Sequence, residues 1–546
     1  MISKALLYFH TIRHLTLQQI YFQIFYRVYK PKPRLIKFLP KRRDRKKLSL
    51  KFISKSESLI NSQEFKFFDE KGQLKQIGWS GNEKSKLWRY HQHYFDDLNS
   101  HNANLKNDWH HDLINNWIFY HSHNTSLGWD PYPTSLRVVN WIKWDLDGNN
   151  LTQEHQKSLY SHGLLLERKI EFHISGNHLI ANAKALLFLG LYFSGNDADR
   201  WFSKGLKILS HEIKVQVLSD GGNYELSPMY HCIFLEDLLD LINFSALPYF
   251  DKSKKLEDLL SPYIEPMLNW MHLMSHNENE LSCFNDSANN ISASPKMLKK
   301  YSNDLGFITP KISPRSLSCH HLKESGYIVV YNKYFKTILD VAKLGPDHLL
   351  AHGHADTLSF EMAIDGIPIF VNSGTSTYAI CERRSFERST QAHNTLEINN
   401  ISSSQVWSSF RVARRAEPRN TTISSSTQKI EICASHNGYQ YLAGSPTHSR
   451  KWLIKDTSFI IEDQIDEINY SAISRFILDA GITIRRLNNN EIELETPSHR
   501  QLRFKILIGK LKICAWQHTN SFGSLRPTNC IEVSAVDGKS RIEVIQ

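Results

Sequence analysis

The sequence predicts a chain of two parts, an all-α part followed by an all-β part with an antiparallel, sandwich-like fold. The chain has 546 residues, which is too long for one small core. Apolar residues recur at three- and four-residue spacing from about residue 85 to 310, and the period changes to two near Ser325. We therefore expect a basic helical and linker segment (1–80), a helical domain (81–318) and a β-domain (319–546).

Basic residues dominate the first segment. The stretch MISKALLYFHTIRHLTLQQIYFQIFYRVYK lacks the apolar region and cleavage site of a signal peptide. It predicts an amphipathic basic helix that docks on its own domain, with a membrane surface as the alternative. Residues 31–55, rich in Lys, Arg and Pro, are expected to form a solvated linker. The compartment stays open between the cytoplasm and the cell envelope.

Composition restricts the partners. A net charge of +11 and a pI of about 9.1 suit an acidic partner, such as an acidic polysaccharide. No recognised nucleic-acid motif follows the basic stretch, so we expect no nucleic-acid partner. No run of 18 apolar residues occurs, and no transmembrane helix is expected. Seven scattered cysteines without a CxxC pair indicate neither a disulfide framework nor a cysteine zinc finger.

The helical part is predicted from amphipathic segments of ordinary helix length. They are LRVVNWIKWDL, SLYSHGLLLERKIEFHI, NHLIANAKALLFLGLYF, ADRWFSKGLKILSHEIKVQVL and HCIFLEDLLDLINFSAL. Loops with GN, DGG and SP signals separate them. Successive helices of this kind pack as antiparallel hairpins.

The β part is predicted from alternating segments split by DG, NG and NN turns, including GYIVVYNKYFKTILDVA and RKWLIKDTSFIIEDQI. A tight turn at Asp365-Gly366 pairs residues whose numbers sum to about 731. This register sets Asn372 opposite Ser359 and brings Tyr378 close to His352 or His354. A bulge or bend is then needed for Asn372 to reach His354.

The stretch AHGHADTLSFEMAIDG carries three ionisable side chains at alternate positions. If 351–358 is extended, His352, His354 and Asp356 share one face. Such a face suits a metal site, an acid–base pair or a satisfied polar edge, and the residues alone leave all three open.

Eight segments of the chain together resemble one known family. They are, in order, WRYHQHYFDDLN, GWDPYPTSLRVVNWIKW, GNHLIANAKALLFLGLYF, GGNYELSPMYHCIFLEDLLDL, HGHADTLSFEMAIDG, VNSGTSTY, STQAHNTLEI and SSFRVARRAEP. The ordered set resembles the heparinase II/III family, which includes oligoalginate lyases, from about Trp88 to Arg450. The resemblance implies an N-terminal incomplete (α/α) toroid followed by a C-terminal antiparallel β-sandwich.

The resemblance also implies a polysaccharide lyase that cleaves a uronate-containing acidic polysaccharide by β-elimination. A base removes the proton on carbon-5, donors stabilise the enolate that forms on the uronate carboxylate, and an acid protonates the leaving oxygen. Asn177 and His178 match the carboxylate-binding pair. Tyr230 matches the catalytic acid, which can also act as base if a nearby cation lowers its pKa. His352 matches a base or proton-shuttle histidine.

Several other residues are candidates for binding sugar. Trp129, Tyr132 and Arg137 could line a cleft, because aromatic faces stack on sugar rings and guanidinium groups pair with carboxylates. Arg411 belongs to a basic cluster on β-strands, and Tyr378 is a candidate from the hairpin register. Packing and salt bridges are the alternative for each residue.

Zinc is the cofactor that the resemblance implies, through an aspartate and two histidines. His354 and His393 match the histidines, but Asn372, in FVNSGT, stands where VDxGT is usual. A neutral amide binds Zn²⁺ less well than a carboxylate does. The sequence therefore leaves a zinc site and a metal-free hydrogen-bonded cluster open.

Two further functions compete with the lyase. A catalytically silent carbohydrate-binding protein on the same fold is suggested by Asn372. A glycoside hydrolase needs two opposed carboxylates, and the helical half offers no convincing pair. For the lyase, we expect a place in a bacterial surface-polysaccharide pathway.

Overall fold

A computed structural model describes residues 4–43, 50–81, 83–122, 126–246, 250–309 and 316–546. Its α-helices are α1 (Lys4–Ile12), α2 (Leu17–Val28), α3 (Leu74–Ile77), α4 (Lys86–Tyr94), α5 (Asn107–His121), α6 (Pro131–Trp144), α7 (Gln153–Leu166), α8 (Gly176–Tyr192), α9 (Asn196–Gln216), α10 (Pro228–Ser245), α11 (Phe250–Leu273), α12 (Pro295–Asp304) and α13 (Glu382–Glu387). All but α13 precede the β part.

The strands before the middle of the β part are β1 (Leu59–Asn61), β2 (Glu64–Phe67), β3 (Glu70–Gln73), β4 (Ser318–Leu322), β5 (Tyr327–Tyr331), β6 (Phe335–Asp340), β7 (Phe360–Ile364), β8 (Ile367–Phe370), β9 (Leu396–Ile398), β10 (Val406–Trp407) and β11 (Arg411–Val412). The remaining strands are β12 (Pro418–Ser425), β13 (Lys429–His436), β14 (His448–Lys455), β15 (Ser458–Ile465), β16 (Ala472–Ile477), β17 (Thr483–Arg486), β18 (Glu491–Glu495), β19 (Gln501–Ile508), β20 (Lys510–His518), β21 (Arg526–Ser534) and β22 (Lys539–Ile545).

Neighbouring helices of the helical part pack in pairs around one apolar core. Helix α8 packs against α9 and α6, and α10 packs against α11. Leu186, Leu187 and Phe188 of α8 are fully buried, and the Phe188 ring stacks on Phe244 of α10. Because α8 is apolar on nearly all sides, it must lie inside the helical layer rather than on its surface.

The β part is a sandwich of antiparallel sheets. An eight-stranded sheet has the order β12-β13-β14-β15-β22-β19-β18-β17, and it faces a five-stranded sheet (β4-β5-β6-β7-β8) and a four-stranded sheet (β20-β21-β16-β9). A bridge between Phe370 and Leu478 joins the two smaller sheets edge to edge. Phe370 packs against Phe504 of the large sheet, with ring centroids 6.0 Å apart. The helical-then-sandwich fold predicted from the sequence is confirmed.

The predicted strand at 351–358 is wrong. This segment is a loop, Leu358 has a φ of +63°, and β7 begins only at Phe360. The shared strand face predicted for His352, His354 and Asp356 therefore does not exist. The hairpin register agrees with the prediction, because Ala363 pairs with Pro368. A bulge lies next to that pair, as expected.

The start of the chain forms two helices and a small sheet, where one helix and a linker were predicted. The Thr16 side chain accepts a hydrogen bond from the Gln19 amide, and the Gln19 side chain accepts one from the Thr16 amide. This capping box starts α2 separately from α1. Strands β1–β3 then form an antiparallel sheet that the sequence did not predict. Within the described residues, no helix is long and apolar enough to cross a bilayer.

Candidate functional site at the junction of the helical and β parts

Tyr230 and His352 meet where the helical part contacts the β part. Tyr230 lies in the first turn of α10. The Ser227 side chain caps this helix by accepting a hydrogen bond from the Tyr230 backbone amide at 3.2 Å. The ring of His352, from the loop before β7, lies against the Tyr230 ring with centroids 3.9 Å apart. The Tyr230 hydroxyl also lies 3.2 Å from the hydroxyl of Tyr378.

Asp286 is the polar centre of this junction. Its fully buried carboxylate accepts hydrogen bonds from His352 Nδ1 and His354 Nε2, each at 2.9 Å, and pairs with both terminal nitrogens of Arg384. Burial alone would raise the pKa of Asp286. The charge of Arg384 and the hydrogen bonds outweigh burial and hold that pKa well below its usual range.

The ionised Asp286 determines which ring nitrogens carry protons. A carboxylate only accepts hydrogen bonds, so His352 Nδ1 and His354 Nε2 must donate. His352 then has an unprotonated Nε2 in its neutral form. That nitrogen can accept a proton, which suits a general base.

The surroundings of Tyr230 favour the protonated phenol. Burial raises its pKa well above 10, and the neighbouring Tyr378 and Asp286 add to the increase. The nearby cation, Arg384, stacks over the ring of Tyr378 at 5.0 Å and pairs with Asp286. The condition for Tyr230 to act as a base, a cation that lowers its pKa, is therefore not met, and the geometry suits an acid.

Asn177 and His178 lie in the first turn of α8. Ser175 is the N-cap residue, so Asn177 lies within the helix. The His178 ring packs on Tyr132, with centroids 4.3 Å apart, and its Nδ1 lies 3.2 Å from Glu171 Oε1. The Asn177 side chain lies within hydrogen-bonding reach of the Tyr132 hydroxyl. Tyr132 is thus placed beside both residues.

Glu225 connects the two halves of the site. One carboxylate oxygen accepts a hydrogen bond from the Asn177 backbone amide at 3.2 Å, and the other lies 3.6 Å from His352 Nε2. Burial raises the pKa of Glu225. Gly176 has a φ of +56°, and a Cβ there would lie 2.7 Å from Glu225 Oε1. Only glycine allows this close approach of α8 to Glu225.

Arg137 and Trp129 are not part of the site, and their prediction as sugar-binding residues is wrong. The Arg137 side chain is fully buried, donates to the carbonyls of His93 and Gly128, and stacks on Trp117 at 4.0 Å. Trp129 is also buried. Arg137 links segments of the helical core, because a buried guanidinium must satisfy its donors inside the protein. Trp129 packs against Trp117 in the same core.

Arg411 also lies outside the site. It is exposed, donates to the Tyr8 hydroxyl at 3.1 Å and stacks over Trp407 at 4.8 Å, so it holds α1. Its neighbour Phe410 faces the site instead, with its ring 6.1 Å from that of His352. Phe410 lies in the turn just before β11, so the prediction missed by one residue.

The sequence did not predict the roles of Asp286, Arg384 and Phe410. Asp286 lies in the loop CFNDSANN, and Arg384 lies in the short helix α13. Neither segment carries a periodic or spacing signal. Glu225, in the segment NYELSP, contacts both Asn177 and His352 and so supports both pairs of candidate residues.

His354, Asn372 and His393 form a fully buried polar cluster beside the site. The rings of His354 and His393 have centroids 5.2 Å apart, which is compatible with two imidazoles on one tetrahedral ion. Burial lowers the pKa of His354 to about 4 and that of His393 well below its usual value, so both rings are neutral. Within the described residues, His354 Nδ1 has no hydrogen-bond partner.

Asn372 is the weak member of this cluster. Its Oδ1 accepts the Asn394 amide at 3.2 Å, and its Nδ2 has no partner among the described residues. In that part of the chain, no group of three or more His, Cys, Asp or Glu side chains is arranged to hold a metal. The cluster therefore supplies two good zinc donors and one neutral amide.

Solved structures define the class of this fold. Heparinase III superposes with a TM-score of 0.67 at 17% identity and covers 84% of this chain and 76% of its own. A chondroitin AC lyase of Streptomyces coelicolor A3, in complex with chondroitin sulphate, superposes with a TM-score of 0.53 at 8% identity and covers 89% and 77%. The class is an (α/α) toroid joined to an antiparallel β-sandwich.

The chain belongs to the heparinase II/III family. The family model "Heparinase II/III N-terminus" matches residues 34–308, and "Heparinase II/III-like, C-terminal" matches residues 314–543. A heparin-sulfate lyase of Bacteroides stercoris is 30% identical over 253 residues, 43% of this chain and 37% of that protein. One from Pedobacter heparinus is 25% identical over 246 residues, 41% and 36%. The matches span less than two fifths of these relatives' lengths.

Proposed function

We propose that this protein is a polysaccharide lyase that cleaves a uronate-containing acidic polysaccharide by β-elimination. The observation that carries the proposal is the contact between Tyr230 and His352, whose rings lie 3.9 Å apart across the junction. An acid and a base held side by side suit a reaction that removes one proton and delivers another. Family membership and the similarity to heparin-sulfate lyases support the same activity.

His352 is the proposed base. Asp286 accepts its Nδ1–H, which fixes the ring and leaves Nε2 to take the proton from carbon-5 of the uronate. The electrons of the broken C–H bond move toward the uronate carboxylate as an enolate. They then form the double bond between carbon-4 and carbon-5 as the glycosidic C–O bond breaks.

Tyr230 is the proposed acid. Its raised pKa keeps the phenol protonated at neutral pH, so it has a proton to give to the departing glycosidic oxygen. The Tyr378 hydroxyl at 3.2 Å can donate to the phenolate that remains. Tyr378 is therefore a supporting residue for this step.

Asn177 and His178 are the proposed donors to the uronate carboxylate. They occupy the first turn of α8, where the positive end of the helix dipole also favours an anion. Tyr132 packs on His178 and limits the positions that the imidazole can take. Fixed donors of this kind stabilise the enolate more than the ground-state carboxylate, because charge grows there in the transition state.

We also propose that His354 and His393 bind Zn²⁺ weakly, with Asn372 as a poor third ligand. A bound ion would supply a structural link between the His352 loop and residues 390–395. The test is metal content after equilibration with Zn²⁺. Asn372→Asp should raise it and His354→Gln should abolish it. Equal metal content in Asn372→Asp and the wild type would overturn the assignment.

We place the activity in the turnover of a bacterial surface polysaccharide, since the relatives described above come from bacteria. The direct test of the lyase is incubation with a panel of uronate polymers: alginate, heparan sulfate, chondroitin sulfate and glycan from the host cell surface. Formation of the unsaturated product is followed by its ultraviolet absorbance. We expect turnover of at least one polymer.

Tyr230→Phe and His352→Ala should each reduce that turnover by about 10³-fold or more. Tyr334→Phe is the matched control, because Tyr334 lies in the turn between β5 and β6. No product from any polymer would contradict the lyase. Glycan binding without turnover, unchanged in Tyr230→Phe, would favour a silent carbohydrate-binding protein. Cleavage without a new double bond would favour a hydrolase.

A further inference from the structure

Helix α2 carries apolar side chains on two opposite faces. Its inner face docks on the protein: Phe22 stacks on Phe172 at 4.7 Å, and the Tyr26 hydroxyl donates to the Ile170 carbonyl at 2.9 Å. Its outer face carries a second stripe at helical spacing, which is solvent-exposed. The stripe is Leu17 (86% exposed), Tyr21 (59%), Ile24 (59%) and Val28 (85%). A helix docked through one face has no structural need for apolar residues on the other.

The chain segments on either side of α2 also expose apolar side chains. Helix α1 is held on the β part by a hydrogen bond from Trp407 Nε1 to Thr11 Oγ1 and by packing of Tyr8 on Trp407. This helix also exposes Phe9 and Ile12. After α2, the chain also exposes Leu35, Phe38 and Leu39. Large apolar side chains that cluster in one exposed segment mark an interaction site.

The same segment holds nearly all of the net charge of the chain. Residues 1–43 contain ten Lys and Arg and no Asp or Glu, whereas the remainder contains 56 basic and 55 acidic residues. Eight of the ten are exposed: Lys4, Arg13, Arg27, Lys30, Lys32, Arg34, Lys37 and Lys41. An exposed apolar stripe bordered by cations complements a surface that is anionic at its face and apolar beneath.

We propose that residues 4–43 bind the surface of an anionic lipid bilayer, with the outer stripe of α2 in the interface between headgroups and acyl chains. An acidic polysaccharide would attract the same cations but offers no apolar phase for Leu17 and Val28. A second copy of this chain would meet the patch with an equally basic, acid-free patch, and the like charges would repel. The proposal does not depend on the lyase activity.

The first test is flotation of the full chain with vesicles of phosphatidylcholine alone or of phosphatidylcholine with phosphatidylglycerol. We expect flotation with the anionic vesicles and weaker flotation with the neutral ones. A triple variant, Leu17→Asn, Ile24→Asn and Val28→Asn, should reduce the partition coefficient at least about tenfold, because three exposed apolar side chains no longer enter the interface. An unchanged melting temperature will show that the variant folds.

The matched control is Leu105→Asn combined with Phe119→Asn. These residues are 77% and 82% exposed but lie in the helical part, outside the basic segment. Their replacement should leave flotation unchanged. Equal flotation of the triple variant and the wild type would overturn the proposal, and so would absence of wild-type flotation with anionic vesicles.

Two further measurements distinguish the bilayer from the two alternative binding partners, a polyanion and a second copy of this chain. Binding to heparin, used as a polyanion without an apolar phase, should not respond to the triple variant. If flotation responds only to loss of basic residues, and in parallel with heparin binding, the patch binds polyanions and the bilayer proposal fails. If the wild type self-associates in sedimentation and the triple variant does not, the patch is a contact between copies of the chain, and the bilayer proposal fails.

Discussion

The hydroxyl oxygens of Tyr230 and Tyr378 lie 3.2 Å apart, so a hydrogen bond joins the first turn of α10 to the segment that follows β8. The same Tyr378 ring lies 5.0 Å below the guanidinium of Arg384, which pairs with Asp286. Asp286 in turn accepts a hydrogen bond from His352 Nδ1. The proposed acid and base are thus ends of one connected set of side chains from both parts of the protein.

Replacement of Tyr378 tests this connection. Tyr378→Phe removes the partner of the Tyr230 hydroxyl but keeps the ring that packs on Phe410 and Phe522. We expect kcat to fall about tenfold with little change in KM, because one hydrogen bond to the phenolate that forms on Tyr230 is lost. Steady-state kinetics measure both. A loss as large as that of Tyr230→Phe would make Tyr378 the acid.

Replacement of Asp286 should affect turnover and stability. Asp286→Asn breaks the orientation of His352, so kcat should fall by about 10³-fold or more. It also leaves the buried Arg384 without its carboxylate, which should reduce the free energy of unfolding by about 3–5 kcal/mol. Turnover well below the variant's melting temperature separates the two effects.

The control for Asp286 is the combination with His352→Ala. If Asp286 acts through His352, adding Asp286→Asn to the His352→Ala variant should reduce kcat little further. Additive losses in the double variant would show that Asp286 acts through another group.

Asn177 is expected to act in the transition state. Asn177→Ala should lower kcat by about 10²-fold, as for loss of one preorganised donor to an oxyanion. The backbone amide that donates to Glu225 remains, so the start of α8 should persist. Circular dichroism checks the helix content. A raised KM with unchanged kcat would mean that Asn177 binds substrate and transition state equally.

Arg411 and Arg137 form a matched pair of arginines outside the site. Arg411→Ala should leave kcat and KM within about twofold, because Arg411 is exposed and contacts α1. Arg137→Met should reduce the free energy of unfolding by about 3 kcal/mol or more, since buried carbonyls lose their donors. Urea unfolding and steady-state kinetics measure these effects. A selective rise in KM for Arg411→Ala would return it to the substrate-binding residues.

His231, next to Tyr230, should make folding stability depend on pH. It is buried, its Nε2–H donates to the Met267 carbonyl at 2.9 Å, and its Nδ1 accepts the Asn223 amide at 3.2 Å. Burial lowers its pKa to about 4, below the unfolded value near 6.5. The unfolded chain therefore binds the extra proton first as pH falls, so stability decreases between about pH 6.5 and pH 4, by on the order of 3 kcal/mol.

The measurement is urea unfolding of the wild type and His231→Gln at pH 7 and pH 5. The wild type should lose more stability than the variant over this interval, because other buried histidines contribute equally to both. The same loss in both proteins would contradict the assignment.

The sequence alone predicted the order of the two parts, and its resemblance to the family named four catalytic candidates. The spacing of apolar residues along the chain distinguishes helix from strand, and the turn residues define the hairpin at Asp365-Gly366. Both features depend only on residues that are close in sequence. The ordered motifs placed Asn177, His178, Tyr230 and His352 together through their resemblance to the family.

Only the tertiary structure decided which polar residues connect these candidates. Asp286 and Arg384 are 98 positions apart and meet because the loop after α11 packs against α13. Arg137 was misplaced because a guanidinium looks the same in sequence whether it binds a sugar or satisfies buried carbonyls. Burial and long-range pairing arise only when the two parts pack together, and for that reason no local pattern in the chain encodes them.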